Sequence, residues 1–280
     1  DGDPDLAVAG EWMPVRLFRN DRTRFTEVSA DAGLQKTNGW WKTLEVADIN
    51  QDGYPEIIAG NIGLNTRFRA SAEQPITLHI NDFDKNGNIE QILNQYNGGV
   101  SYPMILRHDL VMQLPSLKKK YLKYEAYKNQ RMEDLFTEQE RQKTMILEAH
   151  LLETTLFMNN GKGGFLKTSL PMEAQFSPTH AILVRDFDQD GFQDMLLAGN
   201  FFESKPEVGR YDANYGLLLK GNGKGGFTTL KSRETGFYAQ GAARRLALVQ
   251  TGKQSLLLVA NNADALQVFQ YSAPKPLASN

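Results

Sequence analysis

Short apolar runs that end at a turn residue recur along the chain and predict β-strands. The clearest runs lie at residues 56–60, 181–185 and 195–199. Runs of this length are typical of strands, whereas helices usually extend over about ten residues or more. No apolar run reaches the roughly 18 residues that a membrane-spanning helix requires. The pattern predicts an all-β fold without direct membrane insertion.

An acidic motif occurs three times between such runs. At residues 48–56, oxygen-bearing side chains occupy positions 1, 3, 5 and 9 around a glycine at position 6, and residues 82–90 and 186–194 repeat this arrangement. Ca²⁺ prefers about six to eight oxygen ligands, and the glycine permits the sharp turn that gathers them. The predicted calcium-binding residues are Asp48, Asn50, Asp52, Tyr54, Glu56, Asp82, Asp84, Asn86, Asn88, Glu90, Asp186, Asp188, Asp190, Phe192 and Asp194.

The EF-hand is the main alternative for this spacing. Its loop needs a bidentate Glu at the last position and a helix on each side. That position falls on Ala59, Leu93 and Leu197, none of which offers a side-chain ligand. We therefore predict that each loop is a calcium-binding β-hairpin. An acidic turn that holds no ion remains the second interpretation, chiefly for residues 82–90, where Asn86 replaces an acid.

Two weaker copies extend the repeat toward both ends of the sequence. Gly2 and Asp5 fit positions 6 and 9, so the sequence is expected to start inside a repeat, and residues 246–260 keep two strands without the acids. Asn-Gly and Gly-Gly hairpin signals recur within residues 156–165 and 218–227. Multi-strand units at intervals of roughly 40–60 residues indicate a β-propeller, so we predict a single partial propeller over residues 1–280 with about four to five blades.

One segment in the long interval between the second and third loops lacks a strand pattern. Residues 116–153 are rich in Lys, Glu, Leu, Gln and Met, and predict a helical insertion of two helices within a blade. Lysines surround Tyr121, Tyr124 and Tyr127, a combination also found in nucleic-acid-binding helices. Because the tyrosines recur every third residue, we expect them to pack against the propeller on one face, and we expect no nucleic-acid binding.

Composition and motif searches narrow the possible functions. The formal charge of −2 favours neither nucleic acid nor an anionic membrane, and the absence of cysteine excludes disulfides and thiolate metal sites. The sequence contains no zinc-protease motif, nucleophile elbow or phosphate-binding loop. We therefore expect that the protein is not an enzyme and that His79 and His180 are structural.

The acidic loops combined with the Asn-Gly hairpins resemble the FG-GAP or VCBS repeat family. More narrowly, the stretches 60–68, 173–178 and 206–216 are similar to the C-terminal propeller part of long Bacteroidetes surface proteins related to cartilage acidic protein, the ASPIC/UnbV group. The resemblance implies propeller blades with calcium in their hairpins, an extracytoplasmic location (outer membrane surface, periplasm or secreted) and a binding or assembly role. We expect no part of residues 1–280 to form the separate C-terminal module of that group.

The resulting hypothesis is a calcium-dependent module that binds a protein or glycan at the cell surface. Loops 61–74 and 200–214 are expected to carry the ligand surface, because mixed aromatic and charged residues on a rigid scaffold suit recognition. Packing of these loops against neighbouring blades is the competing interpretation. Trp12, Trp40 and Trp41 are expected in the core. The alternative function is part of a calcium-dependent carbohydrate-active enzyme whose site is completed by upstream residues.

Overall fold

A computed structural model describes residues 2–206, 208–252 and 254–272. The described residues are mostly β-strand, with few helices. Their strands are β1 (Leu6–Val8), β2 (Glu11–Met13), β3 (Arg16–Asn20), β4 (Phe25–Glu27), β5 (Gly39–Trp40), β6 (Thr43–Ala47), β7 (Glu56–Gly60), β8 (Ile76–Asn81), β9 (Glu90–Asn97), β10 (Val100–Pro103), β11 (Met145–Ala149), β12 (Thr155–Asn159), β13 (Phe165–Ser169), β14 (Thr179–Arg185), β15 (Asp194–Gly199), β16 (Leu217–Gly221), β17 (Phe227–Leu230), β18 (Ala243–Thr251), β19 (Gln254–Asn261) and β20 (Gln267–Tyr271).

The helices are short. They are α1 (Arg107–Gln113), α2 (Tyr124–Tyr127), α3 (Met132–Leu135), α4 (Glu138–Arg141) and α5 (Ser232–Thr235), with 3-10 turns at Pro115–Lys118 and Met172–Gln175. Within the described ranges, none of these helices has the length and apolar character needed to cross a bilayer.

The strands pair into antiparallel sheets. Sheet I has the order β1-β3-β4, sheet II the order β6-β7-β12-β13, sheet III the order β14-β15-β16-β17 and sheet IV the order β18-β19-β20. A further sheet, here called the insert sheet, has the order β10-β9-β8-β11, and β2 pairs with β5 in a short ribbon. The prediction of an all-β fold is confirmed at this level. Closure of the sheets into a propeller stays a prediction.

Sheets I to IV pack face to face in chain order. Ile57 and Phe157 bury one face of sheet II against sheet I. Their sequence neighbours Ile58 and Leu156 point to the opposite face, because side chains alternate along a strand, and pack with Leu197 of sheet III. Sheet III uses its other face against sheet IV. Burial on both faces explains why β7, β12 and β15 are continuous apolar runs in the sequence.

The insert sheet interrupts sheet II between β7 and β12. The inserted segment is residues 61–154, and its strands and helices lie between Ile76 and Ala149, so the acidic loop at 82–90 belongs to the insert and not to the series of sheets I to IV. When the insert is left out, the interval between Gly53 and Gly191 becomes similar to the interval between Gly2 and Gly53. The sequence analysis took loop 82–90 as one copy of the repeated unit. The structure corrects this, because the loop lies in the insert.

Helices α1 to α4 cover one face of the insert sheet. Phe83 stacks on Phe136 with ring centroids 4.1 Å apart, and Ile92 is buried in the same cluster as Leu110. The insert sheet also contributes Ile76 and Ala149 to a core with Trp40 near the β2–β5 ribbon. The insert is therefore anchored by apolar packing as well as by its two chain connections.

The helical segment differs from the expected bounds of 116–153. Helices begin at Arg107 and end at Arg141, and Met145–Ala149 is strand β11, which pairs with β8. The chain between 118 and 128 is also not one helix, because a 3-10 turn and a break precede α2. The sequence Met-Ile-Leu-Glu-Ala has ordinary helix-forming residues, and only pairing with a strand that lies far away along the chain makes it β.

The three tyrosines of this segment do not share one face. Tyr121 is 2% exposed, and its hydroxyl donates to Gln130 Oε1 at 3.1 Å and to the Asp134 carbonyl at 3.0 Å. Tyr127 donates to the Ile105 carbonyl at 2.8 Å, and burial raises its pKa to about 12. Tyr124 is 56% exposed. The expectation that all three tyrosines pack against the propeller on one face is therefore wrong: Tyr121 and Tyr127 pack inside the insert, and Tyr124 is exposed.

Candidate metal-binding loops

Each acidic loop connects two neighbouring antiparallel strands. Loop 1 (residues 48–56) joins β6 to β7, loop 2 (82–90) joins β8 to β9, and loop 3 (186–194) joins β14 to β15. An EF-hand would place a helix on each side of the loop. All three flanks are strands, so the expectation of β-hairpins in place of EF-hands is confirmed.

The first acid of each loop organises the turn. In loop 3, the Asp186 carboxylate accepts the backbone N–H of Asp190 at 3.2 Å and that of Gly191 at 2.9 Å. The same two bonds, at 2.9–3.1 Å, recur in the other loops: Asp48 accepts from Asp52 and Gly53, and Asp82 accepts from Asn86 and Gly87. Identical bonding shows that the repeated spacing encodes one repeated conformation.

The glycine at position 6 has the backbone conformation that its motif predicted. Gly53, Gly87 and Gly191 have φ angles of 87°, 89° and 92°, which other residue types rarely adopt. The residue two positions earlier is also left-handed in each loop, with φ between 59° and 62°. With this backbone, loops 2 and 3 bring the ligand atoms of positions 1, 3 and 9 within 4.8 Å of one another.

The acid at position 9 is almost completely buried. Glu56, Glu90 and Asp194 are 0%, 6% and 1% exposed, and burial is the main cause that raises the pKa of each. One oxygen of each accepts the backbone N–H of position 2 at 2.8–2.9 Å. The position-9 acid therefore links the end of the loop to its beginning.

The same acid also joins the loop to the third strand of its sheet. Glu56 accepts the N–H of Asn159 at 3.3 Å, and Asp194 accepts the N–H of Gly221 at 2.9 Å. In sheet I, Asp5 accepts the N–H of Asn20 at 2.8 Å. Asn20, Asn159 and Gly221 are each the last residue of the corresponding strand. Asp5 thus occupies position 9, as its spacing from Gly2 predicted. The same spacing assigns Asp1 to position 5, but Asp1 lies outside the described residues.

Two of the loops gather three carboxylates. Ligand atoms of Asp82, Asp84 and Glu90 lie within 4.8 Å of one another, and so do those of Asp186, Asp188 and Asp194. In loop 1, Asn50 takes position 3 and provides an amide oxygen. Carboxylate and amide oxygens are the ligands that hard cations such as Ca²⁺ prefer. Position 7 of a calcium loop supplies a main-chain carbonyl, and Tyr54, Asn88 and Phe192 stand at that position here.

A lysine lies next to the acids of loop 3. Lys220 on β16 forms ion pairs with Asp188 and, at 2.8 Å, with Asp190. Hydrogen bonding to this ammonium group is the main cause that lowers the pKa of Asp190. The positive charge of the Lys220 ammonium group partly neutralises the acids, so it opposes the binding of a metal ion at the same carboxylates. The sequence analysis did not identify Lys220 as a neighbour of the acids, because it follows Asp188 by 32 residues and no local pattern connects the two.

The two recurrent motifs meet within one sheet. The ring of Tyr54 in loop 1 lies beside Gly161 of the β12–β13 hairpin, where an added Cβ would come within 3.3 Å of it. The ring of Phe192 in loop 3 lies against Gly223 of the β16–β17 hairpin, where an added Cβ would come within 2.4 Å. Glycine at these turns therefore makes room for the aromatic residue at position 7. The sequence showed both motifs but not their contact.

The two loops expected to form a ligand surface do touch each other. The hydroxyls of Thr66 and Tyr211 lie 3.0 Å apart, and Tyr211 also pairs with Phe201 through the backbone.

Trp40 and Trp41 are 8% and 3% exposed, which agrees with the expected core positions. The Trp12 ring is 5.3 Å from that of Trp40, edge to face.

Both histidines that were expected to be structural are half-buried on strands. Burial lowers the pKa of His79, and burial together with nearby Arg244 and Lys42 lowers the pKa of His180 to about 3. Each therefore stays neutral at pH 7. Neutral, half-buried imidazoles within strands are consistent with a packing role.

Comparison with known families gives one match. Residues 1–59, which cover sheet I, loop 1 and most of β7, match the family model described as FG-GAP-like repeat. This match supports the FG-GAP repeat family for the part of the chain that carries the first acidic loop. A comparison with curated proteins found no match.

Proposed function

We propose that this chain is a calcium-binding β-propeller fragment that acts outside the cytoplasm as a non-catalytic binding or assembly module. Sheets I to IV, packed face to face in chain order, are the arrangement that propeller blades require. FG-GAP repeats suggest a propeller-like interaction module, which the match over residues 1–59 supports. The narrower resemblance to the ASPIC/UnbV group of Bacteroidetes surface proteins rests on sequence stretches alone.

The observation that carries the calcium proposal is the identical geometry of loops in different sheets. Loops 1, 2 and 3 share the position-1 bonds, the left-handed glycine and the buried position-9 acid. Buried acids held close to other carboxylates are costly unless a cation compensates their charge. An extracytoplasmic location fits this chemistry, since calcium sites of extracellular modules have dissociation constants of roughly 10⁻⁴–10⁻³ M.

Calcium stoichiometry tests the proposal directly. Equilibrium dialysis against millimolar Ca²⁺ should find three ions per chain, one for each loop. Asp186→Asn combined with Asp188→Asn should lower the count by one, because loop 3 loses two charged ligands. The matched control is Glu138→Gln, which removes an exposed acid of α4 and should leave the count unchanged. Equal counts in all three proteins, or no bound ion in any, would overturn the calcium proposal.

Removal of Lys220 should strengthen calcium binding at loop 3. Two unit charges about 4 Å apart repel by about 1 kcal/mol even in bulk water, and Ca²⁺ carries two charges, so Lys220→Met should raise the affinity by at least about fivefold. The measurement is a calcium titration in a background where Asp48→Asn and Asp82→Asn weaken the other two loops. Lys224→Met, at an exposed lysine of the neighbouring hairpin, is the control. Unchanged or weaker binding in Lys220→Met would show that the lysine does not oppose the ion.

A further inference from the structure

Two cavities meet beside the contacting loops 61–74 and 200–214. One has a volume of 310 Å³ and lies between these loops, where Phe68, Phe201 and Tyr211 line it. The other has a volume of 640 Å³ and extends along the insert sheet. Arg67 and Lys205 line both cavities, so the cavities adjoin at these two side chains, at the boundary between the insert and loop 200–214. The two adjoining cavities are called the groove below.

Contacts between separate parts of the chain hold the walls of this groove. Lys205 forms an ion pair with Asp109 of α1 at 3.6 Å, which joins loop 200–214 to the insert helices. The hydroxyl contact between Thr66 and Tyr211 joins the same loop to loop 61–74. The groove is therefore built by the tertiary structure, because its walls come from the insert segment and from loop 200–214, which are far apart in sequence.

Among the residues that the structure describes, one cation of the groove has no carboxylate partner. Arg67 is exposed, and its guanidinium carbon lies 5.3 Å from the centroid of the Phe68 ring. Within the described ranges, Arg67 forms no ion pair. Lys205 is 67% exposed and only loosely paired. An unpaired arginine beside an aromatic ring suits a ligand carboxylate or sulfate, which it can bind through two parallel hydrogen bonds.

Two acids also line the groove: Glu203, which is exposed, in the smaller cavity and Glu90, which is 6% exposed, in the larger one. The amide groups of the groove suit hydroxyls. Four amide side chains line the larger cavity: Asn86, Asn88, Gln91 and Gln113. An amide both donates and accepts hydrogen bonds, as neighbouring sugar hydroxyls do. Aromatic residues at the other end offer flat apolar faces. An acidic peptide would use the cations but would not require this number of amide groups, so the lining favours a sugar polymer that carries negative charge.

We propose that the groove binds a segment of an acidic polysaccharide, with Arg67 and Lys205 on its carboxylate or sulfate groups and the amides on its hydroxyls. This inference rests on the proposed function, because it names the ligand class of that binding module. It also connects the ligand to the metal. Asn86 and Asn88 belong to loop 2, so calcium in loop 2 would fix two of the amides that face the groove.

Calorimetric titration with three polymers tests the inference on the intact chain in millimolar Ca²⁺. The acidic glycan is an oligogalacturonate too short to gel with Ca²⁺, its methyl-esterified form is the neutral glycan, and a short polyglutamate is the acidic peptide. The oligogalacturonate should bind saturably and more tightly than the other two. Arg67→Ala should weaken its binding about tenfold, as expected for loss of a charge-assisted hydrogen bond. Gln113→Ala should weaken it by a smaller factor.

The control is Arg233→Ala, which removes an exposed arginine of α5 that lines neither cavity and should leave binding unchanged. Equal binding of polyglutamate, with no effect of Gln113→Ala, would overturn the glycan assignment in favour of an acidic peptide. No binding of any polymer by a chain that holds its calcium would overturn the inference and leave the calcium proposal intact. Arg67-dependent binding by a chain that holds no calcium would support the groove and reject the calcium proposal.

Discussion

EDTA is expected to lower the midpoint of thermal unfolding by several degrees or more, and added Ca²⁺ is expected to restore it. A ligand that binds only the native state stabilises it by RT ln(1 + [L]/Kd), which is about 2.7 kcal/mol per site at a hundredfold excess over Kd. In a domain of about 150–250 residues, 1 kcal/mol corresponds to a shift of roughly 2–4 °C, so three occupied loops should give a large combined effect.

Differential scanning calorimetry on the EDTA-treated protein, with Ca²⁺ and then Mg²⁺ titrated back, provides the measurement. Ca²⁺ should be more effective than Mg²⁺, which demands a stricter octahedral site and keeps several of its waters. The Asp186→Asn and Asp188→Asn protein should keep part of the response, because loops 1 and 2 remain. A midpoint that EDTA leaves unchanged, in protein whose metal analysis finds no calcium, would contradict the proposed role of the loops.

Gly199→Ala should destabilise the fold by about 3 kcal/mol or more. Gly199 ends β15, and a Cβ built there would lie 1.6 Å from the carbonyl oxygen of Pro178 and 2.7 Å from its carbonyl carbon. Both atoms belong to the backbone, so the methyl group can be accommodated only if strand β15 moves away from residue 178. Gly60 ends β7 in the same way, with its Cβ position 2.4 Å from the Thr179 carbonyl oxygen.

Urea unfolding at equilibrium measures this change, with Gly10→Ala as the matched control. A Cβ at Gly10 would approach only the flexible side chain of Met13, with its sulfur at 3.2 Å, so we expect a loss below about 1 kcal/mol. If Gly199→Ala and Gly10→Ala had equal free energies of unfolding, the close contact between β15 and residue 178 would be wrong.

The contrast between these two glycines shows how far a sequence can predict the fold. Gly53, Gly87 and Gly191 were predicted from the motif, because their φ angles serve a turn that nine consecutive residues define. Gly199 gave no such signal. Its requirement arises from a neighbouring segment, and a single strand pattern contains no information on how closely another backbone approaches.

The same distinction applies to the strands. The short apolar runs of β7, β14 and β15 predicted strands. This prediction was possible because the apolar side chains of a strand that is covered on both faces leave a continuous apolar run in the sequence. The bounds of the helical segment differed from the expectation, because β11 becomes a strand only through its pairing with β8. The nesting of the insert sheet within sheet II was also not predicted, since strand pairing between β7 and β12 spans the whole insert.

The candidate site divides in the same way. The spacing of acids and glycine determined which residues form each loop, and every one of those loops has the predicted hairpin form. Only the tertiary structure placed Lys220 on loop 3, Phe192 on Gly223, and Arg67 beside Lys205 in a groove. The sequence by itself determined the local turns, because their conformations depend on neighbouring residues. The tertiary structure decided the groove, because its walls come from segments that meet only after the sheets have packed.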